Sequence, residues 1–336
     1  MTKAIRVTGE SLSWEECEPV VDVPEDHVAI DIAWTAVNRA DLMQRAGAYP
    51  PPPGASDILG LEVSGTIASV GAGVRTLKPG DEVCALLTGG GYATRVVVPA
   101  VQVLPVPRGY GLREAAAIPE AFATAWLNLY HEAQLKPGEK VLVHAAASGL
   151  GTTVIQLATA LGNPVFATAS TDDKLEICKR LGASGCWNRS NGSFVEAVTS
   201  WGGVDMVLDP VGGSYIPDDQ KVLNVDGRIV LIGLLGGRMG EVDLGLMLVK
   251  RQRLIGSTLR SRPVNDKGDV MSALYQNVWP LLAARQIEPK IDCSWPIEEA
   301  EAAMAYVAAN KNVGKVLLEV TGSDPAPFCE AKCTGV

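Results

Sequence analysis

Between residues 141 and 158 the chain reads VLVHAAASGLGTTVIQLA, an apolar strand running into a turn of small residues and then into a helix. Such a turn lets backbone N–H groups at a helix N-terminus approach a pyrophosphate, and the helix dipole favours the anion. The standard glycine fingerprint G-x-G-x-x-G is not met, because Ala146, Ser148, Gly149 and Gly151 occupy the turn. A tight strand-to-helix turn with no ligand is the plainer reading, so the surroundings decide. From Lys140 onward apolar strands alternate with helices: KVLVHAA, a helix over about 149–161, PVFATAS at 164–170, a helix over about 172–181, then VDMVLDPVG (204–212), GRIVLIG (227–233) and RLIGSTL (253–259). Continuously apolar strands joined by long crossovers pair in parallel and are buried on both faces. The pattern predicts a doubly wound α/β domain, and within it the 148–151 turn is a nucleotide site.

Upstream the rhythm differs. VAIDIAW (28–34), VSGTIASVG (63–71), DEVCALL (81–87) and ATRVVVPA (93–100) are short β-rich runs punctuated by glycine and proline, the pattern of a barrel-like β domain. Downstream come a helix-like stretch at 269–284, a strand near 290–293, an Ala-rich helix at about 297–310 and the strand GKVLLEV at 314–320. Pattern alone allows these closing elements to return to the first domain or extend the second. Residues after Thr321 read as a disordered tail.

The second strand of the α/β pattern ends at Ser170, where an NAD-preferring site would show a carboxylate for the ribose 2′-hydroxyl. None is there. Asp172 and Asp173 follow, suited to the dipole of the next helix. Lys174 lies one turn in and Arg189 follows the short strand GCWN, so two cations can converge on a 2′-phosphate. Solvated surface charge is the competing reading of each. NADPH is therefore the expected cofactor.

With 38 acidic against 29 basic residues, a formal charge of −9 and no long Lys/Arg run, the chain lacks the footprint of a nucleic-acid binder. The opening Met1-Thr2-Lys3-Ala4-Ile5-Arg6 has no signal-peptide character and no apolar run is long enough for a membrane span, which sets the expectation of a cytoplasmic protein without a membrane partner. Seven scattered cysteines contain no C-x2-C pair, against a disulfide framework or clustered zinc site. Cys329 and Cys333 read as exposed thiols of the tail. His27, His131 and His144 are not spaced as ligands, and His144 reads as a core residue with its hydrogen bonds satisfied.

The segment AVNRADLMQRAGAYPPPPGASDILGLEVSG at 36–65 places Asn38, Asp41 and Tyr49 ahead of four prolines and Gly60-Leu61-Glu62. Together with AAAIPEA (115–121), SGLGTTVIQL (148–157), GGSY (212–215), LRSR (259–262) and ANKNVGK (309–315), it makes residues 1–320 resemble the zinc-free quinone oxidoreductases of the medium-chain dehydrogenase/reductase superfamily, most closely their p53-inducible branch. The resemblance implies a GroES-like β-rich catalytic domain (1–120 and 288–322), a Rossmann NADPH-binding domain (121–287) and a flexible tail (323–336). It implies NADPH held in an interdomain cleft, zinc-independent hydride or electron transfer to a small quinone, and a homodimer. By position, Asn38 and Tyr49 match substrate-side residues. Thr124 falls where nicotinamide is held, Ser148, Gly149, Leu150 and Gly151 on the pyrophosphate, Lys174 at the 2′-phosphate, and Gly233, Leu234, Leu235, Leu259, Arg260 and Asn312 on other cofactor contacts; Ser170, ending the second strand, is a further cofactor-binding candidate. Arg189 departs from the family's tyrosine.

Zinc-dependent relatives carry Cys, Gly-His-Glu and a later Cys where this chain has Asn38, Leu61 and Pro119; Glu62 survives, with a structural role expected. Without a Lewis acid the acceptor must take hydride readily, as quinones do. Asp41 is expected to pair with a backbone N–H or a cation, and Tyr49 to meet the acceptor unless it merely packs beside the prolines. The competing functions are an NADPH-dependent enone or enoyl-thioester reductase, and a non-enzymatic NADPH-binding scaffold or sensor, possibly contacting RNA; the acidic charge opposes the RNA version and the retained Asn38–Tyr49 pair opposes vestigial catalysis.

Overall fold

The structure, a computed structural model, describes residues 2–9, 11–18 and 22–320. The expected tail at 323–336, with Cys329 and Cys333, lies outside the described residues. Two compact units divide the chain: one takes described residues of 1–120, 260–283 and 289–336, the other 121–259 and 284–288.

In the first unit a hairpin of β1 (Lys3–Thr8) and β2 (Ser11–Glu16) precedes β3 (His27–Val37), β4 (Glu62–Val70), β5 (Glu82–Leu86), β6 (Arg95–Pro99) and β7 (Val103–Pro105). The second unit contributes β8 (Val141–Val143), β9 (Val165–Ala169), β10 (Gly185–Asn188), β11 (Val204–Asp209), β12 (Leu223–Leu231) and β13 (Arg253–Gly256); β14 (Ile291–Pro296) and β15 (Lys315–Glu319) close the chain in the first unit.

β3 organises the first unit because it is long enough to serve three partners. Its first half pairs with β6, its second half with β15, and β4 runs along the other side, all antiparallel. The sheet order is β14-β15-β3-β4-β5-β7 with β6 on β3. Val28, Ile30, Ile32, Val63, Ile67 and Val83 form the core beneath it. Burying such side chains contributes about 1.5–3 kcal/mol each.

The second unit is a parallel sheet in the order β10-β9-β8-β11-β12-β13. In chain order within the unit that is 3-2-1-4-5-6, the doubly wound arrangement, whose switch point falls between β8 and β11. β8, β9 and most of β11 are buried residue by residue, as parallel strands covered on both faces must be.

Residues 260–283 correct the expected boundary of 121–287. The stretch read as one helix at 269–284 is two, Val264–Asn277 and Trp279–Ala283, and both belong to the first unit. Trp279 Nε1 donates to the Pro105 carbonyl at 2.9 Å, and the face around Gly268 lies on Val101. These contacts outweigh chain order. The N-terminal hairpin and the helix Arg39–Arg45 carry no strong sequence periodicity and are not anticipated.

Candidate active site

The loops that follow β8 to β12 share one edge of the second unit's parallel sheet, and nearly all the sequence-predicted dinucleotide residues of this unit fall on them. Ser148 caps the helix Gly149–Ala160, its hydroxyl accepting the Gly151 N–H at 3.0 Å. Among the described residues the N–H groups of Gly149 and Leu150 have no partner, as in the first turn of a helix. Gly151 is obligatory: a Cβ there would lie 2.5 Å from the Ala146 carbonyl oxygen. Ala145 takes a left-handed φ of 50°, so the turn accepts in an alanine the strain that a glycine would relieve.

Two side-chain links hold the ends of β9 and β10 together: Ser190 Oγ donates to the Ser170 carbonyl at 3.1 Å, and Asn188 Nδ2 to Asp172 Oδ1 at 2.9 Å. Ser170, Lys174 and Arg189 are thereby brought to one end of the sheet. Arg189 is exposed and lines a cavity of about 260 Å³ with Ser193, Phe194, Ser214 and Tyr215. Gly233 packs on the Pro210 carbonyl, and Leu234 and Leu235 after it are 42% and 57% exposed. Thr124 is half-buried in the helix Pro119–Trp126, whereas the Leu259 side chain is buried. Below the turn, His144 is satisfied as expected, hydrogen-bonded to Thr168 Oγ1 and Asp219 Oδ1 at 2.8 Å each. Burial pushes the Asp219 carboxyl up to about 6 against the lowering effect of His144.

The first unit holds Asn38, Tyr49, Arg260 and Asn312. Asn38 ends β3 and begins the helix Arg39–Arg45; its backbone N–H donates to Asp41 Oδ2 at 2.7 Å. Its amide is committed at both ends: Nδ2 donates to Glu62 Oε1 at 2.9 Å and Oδ1 accepts from Lys315 Nζ at 2.7 Å. Lys315 also donates to Glu62 Oε1, and the backbone N–H of Glu120 donates to Glu62 Oε2 at 2.9 Å. The Glu62 and Lys315 side chains are 0% and 4% exposed, so this is a buried ion pair. Sequence reading missed Lys315; the signal available was a lysine opening the otherwise apolar strand KVLLE. Asp41 is structural, accepting from the backbone of Asn38 and Gly60 and from the Tyr92 hydroxyl, and burial pushes its carboxyl up to about 6.

Tyr49 is arranged differently. It is half-buried, and among the described residues its hydroxyl makes no hydrogen bond. Burial and then the Glu120 carboxylate raise its pKa, keeping it a protonated donor. The Arg260 guanidinium lies 5.4 Å from the ring centroid. Expected as a cofactor contact, Arg260 donates here to the Thr88 carbonyl at 2.9 Å, Gln44 Oε1 at 2.6 Å and the Tyr49 carbonyl at 3.4 Å. The Asn312 amide donates to the Gly314 carbonyl at 2.8 Å.

A catalytic zinc does not fit the donors at Asn38, Leu61 and Pro119. Leu61 is a buried hydrocarbon, proline has no ligating side chain, and the Asn38 oxygen and Glu62 already hold an ammonium that would repel a metal ion. Among the described residues no group of three or more His, Cys, Asp or Glu could hold a metal, and no helix is long and apolar enough to cross a membrane.

Residues 24–108 match the alcohol dehydrogenase GroES-like domain and residues 149–277 the zinc-binding dehydrogenase family. The bovine (Bos taurus) quinone oxidoreductase-like protein 2 is 33% identical over 310 residues, 91% of this chain and 88% of that protein. The quinone oxidoreductase of Thermus thermophilus, solved alone and in complex with NADPH, superimposes with a TM-score of 0.80 at 31% identity over 95% of this chain and 100% of its own. The CurK enoyl reductase does so with 0.83 at 28% identity, over 95% and 99%. The chain belongs to the medium-chain dehydrogenase/reductase superfamily of oxidoreductases, with the GroES-like and Rossmann-type units of that family.

Proposed function

We propose that the protein is a zinc-independent, NADPH-dependent reductase of small quinones. The observation that carries this reading is the Lys315 ammonium held by Asn38 and Glu62: of the three positions where zinc-dependent relatives ligate their metal, Asn38 is taken up by a buried ion pair beside it and Leu61 and Pro119 offer no donor, so the acceptor must take hydride without a Lewis acid. Bound NADPH supplies that hydride. The Gly149 and Leu150 amides and the Ser148 cap would hold its pyrophosphate, and Lys174 and Arg189 its 2′-phosphate. Tyr49 offers its unpartnered hydroxyl to the acceptor oxygen that gains negative charge, and the quinone takes up one proton from solvent for the hydride it receives. Asn38 and Glu62 act by fixing the wall of the site.

Likeness to the CurK enoyl reductase favours a second reading, reduction of an enone or enoyl thioester on the same scaffold. Steady-state NADPH oxidation with matched quinones, enones and enoyl thioesters separates the two. The first reading requires quinones to give the highest kcat/KM, and a lead of tenfold or more by a thioester would replace it with the second.

The same proposal includes a homodimer. Among the described residues β13 ends the sheet, and the helix Leu244–Lys250, which packs on the neighbouring β12, leaves Leu244, Leu248 and Val249 68–78% exposed, with Leu254 of β13 at 41%. An unpaired edge flanked by apolar side chains is self-complementary about a two-fold axis. Sedimentation should give twice the chain mass, and Leu248→Glu with Leu254→Lys should give the monomer; a monomeric wild type would refute the pairing.

A further inference from the structure

The first unit buries two cations that, among the described residues, no carboxylate contacts. Arg260 is 5% and Lys267 3% exposed. Lys267, from the helix Val264–Asn277, donates to Thr88 Oγ1 at 2.6 Å and to the Arg260 carbonyl at 3.4 Å, while Arg260 donates to the carbonyls of Thr88 and Tyr49 and to Gln44. Every one of these acceptors is neutral, and among the described residues neither cation makes an ion pair. Burial disfavours the charged form of both, and Arg260 adds repulsion at Lys267. Asp41 and Glu120 act on Arg260, and Glu120 on Lys267, from beyond contact.

A buried charge without an opposite partner is costly, and adjacent like charges raise the cost. The donor count is also incomplete. A guanidinium has five N–H groups and an ammonium three; three and two are used, leaving two and one. Two features of this cluster complete a recognition site: the Tyr49 ring under the guanidinium, and the Tyr49 hydroxyl without a partner. The pyrophosphate has its own receptor in the amides of the second unit, so this cluster is not needed to hold it.

We propose that Arg260 and Lys267 form a binding site for an anionic substituent, a carboxylate or sulfonate, carried by the acceptor substrate, with the Tyr49 ring as the wall against which the acceptor's ring lies. The natural acceptors are then quinones that carry such an acidic group rather than neutral ones. This rests on the reductase reading above for the acceptor's reacting end, but not for its charged end.

The test is therefore made first without turnover. Calorimetric titration of the NADPH-saturated protein with 2-naphthoate and with neutral 2-naphthamide should show the anion binding at least tenfold tighter. Lys267→Gln and Arg260→Gln should each bring that ratio near one, and Lys267→Arg should keep most of it, which distinguishes lost charge from lost fold. Equal binding of the two probes by the wild type, or a ratio that survives both glutamine variants, overturns the proposal. Displacement of NADPH by 2-naphthoate also overturns it, by assigning the cations to the cofactor. In turnover, kcat/KM for a naphthoquinone sulfonate should fall in Lys267→Gln about tenfold more than for the parent naphthoquinone. An equal fall for both would place the cations at charge developing during reaction and refute a substrate-anion site. Tight naphthoate binding by a protein that reduces no quinone would uphold this inference while removing the quinone reading.

Discussion

Replacing Lys315 by methionine tests whether the ion pair at the end of β3 holds the first unit together. The substitution keeps most of the side-chain volume and removes the ammonium from Glu62 and Asn38, both of which it contacts. Glu62 would keep the Glu120 N–H and the Asn38 amide but lose the full positive charge of Lys315, at a carboxylate with no solvent exposure. Breaking a buried pair on one side costs about 3–5 kcal/mol. For a cooperative unit of this size that is a fall in Tm of roughly 6–20 °C. Differential scanning calorimetry of the variant against wild type reads that gap. Glu62→Gln combined with Lys315→Met should recover a large part of the loss, since the uncompensated charge is then gone. A loss under about 1 kcal/mol, or a double variant no better than the sum of the singles, would refute the argument.

Tyr49→Phe should lower quinone turnover three- to thirtyfold, as for one neutral hydrogen bond of about 0.5–2 kcal/mol, and Tyr49→Ala should lower it further, with NADPH affinity unchanged in both; full activity of both in steady-state assays would reduce Tyr49 to packing. Fluorescence titration should show NADPH binding at least tenfold tighter than NADH (about 1.4 kcal/mol), and Lys174→Ala with Arg189→Ala should erase that difference, while Gly151→Val, whose Cβ would lie 2.5 Å from the Ala146 carbonyl, should abolish binding of both; a preference that survives the double variant would place the 2′-phosphate elsewhere.

The parallel sheet was legible because strands buried on both faces are written as unbroken apolar runs, and the 148–151 turn because its chemistry is local. What escaped was non-local. Residues 260–283 follow the last Rossmann strand in sequence, yet the Trp279 and Lys267 contacts that bind them to the first unit lie on side chains whose partners are far away in the chain. Lys315 meets Glu62 across 253 residues, and no periodicity links them. Asn38 and Tyr49 both match substrate-side positions, but the Asn38 amide is engaged by that ion pair, whereas among the described residues the Tyr49 hydroxyl has no partner. Resemblance aligns Arg260 with cofactor contacts, and an alignment position does not record the hydrogen bonds its guanidinium makes to Thr88 and Gln44.

The central claim is hydride transfer from NADPH without zinc. The measurement that bears on it most directly is NADPH oxidation with 1,4-naphthoquinone by protein dialysed exhaustively against chelator, with zinc counted by elemental analysis on the same sample. Zinc-independent hydride transfer requires unchanged turnover, one NADPH consumed per quinone reduced, and no stoichiometric metal. Stoichiometric zinc together with activity that disappears on chelation and returns with the metal would contradict it.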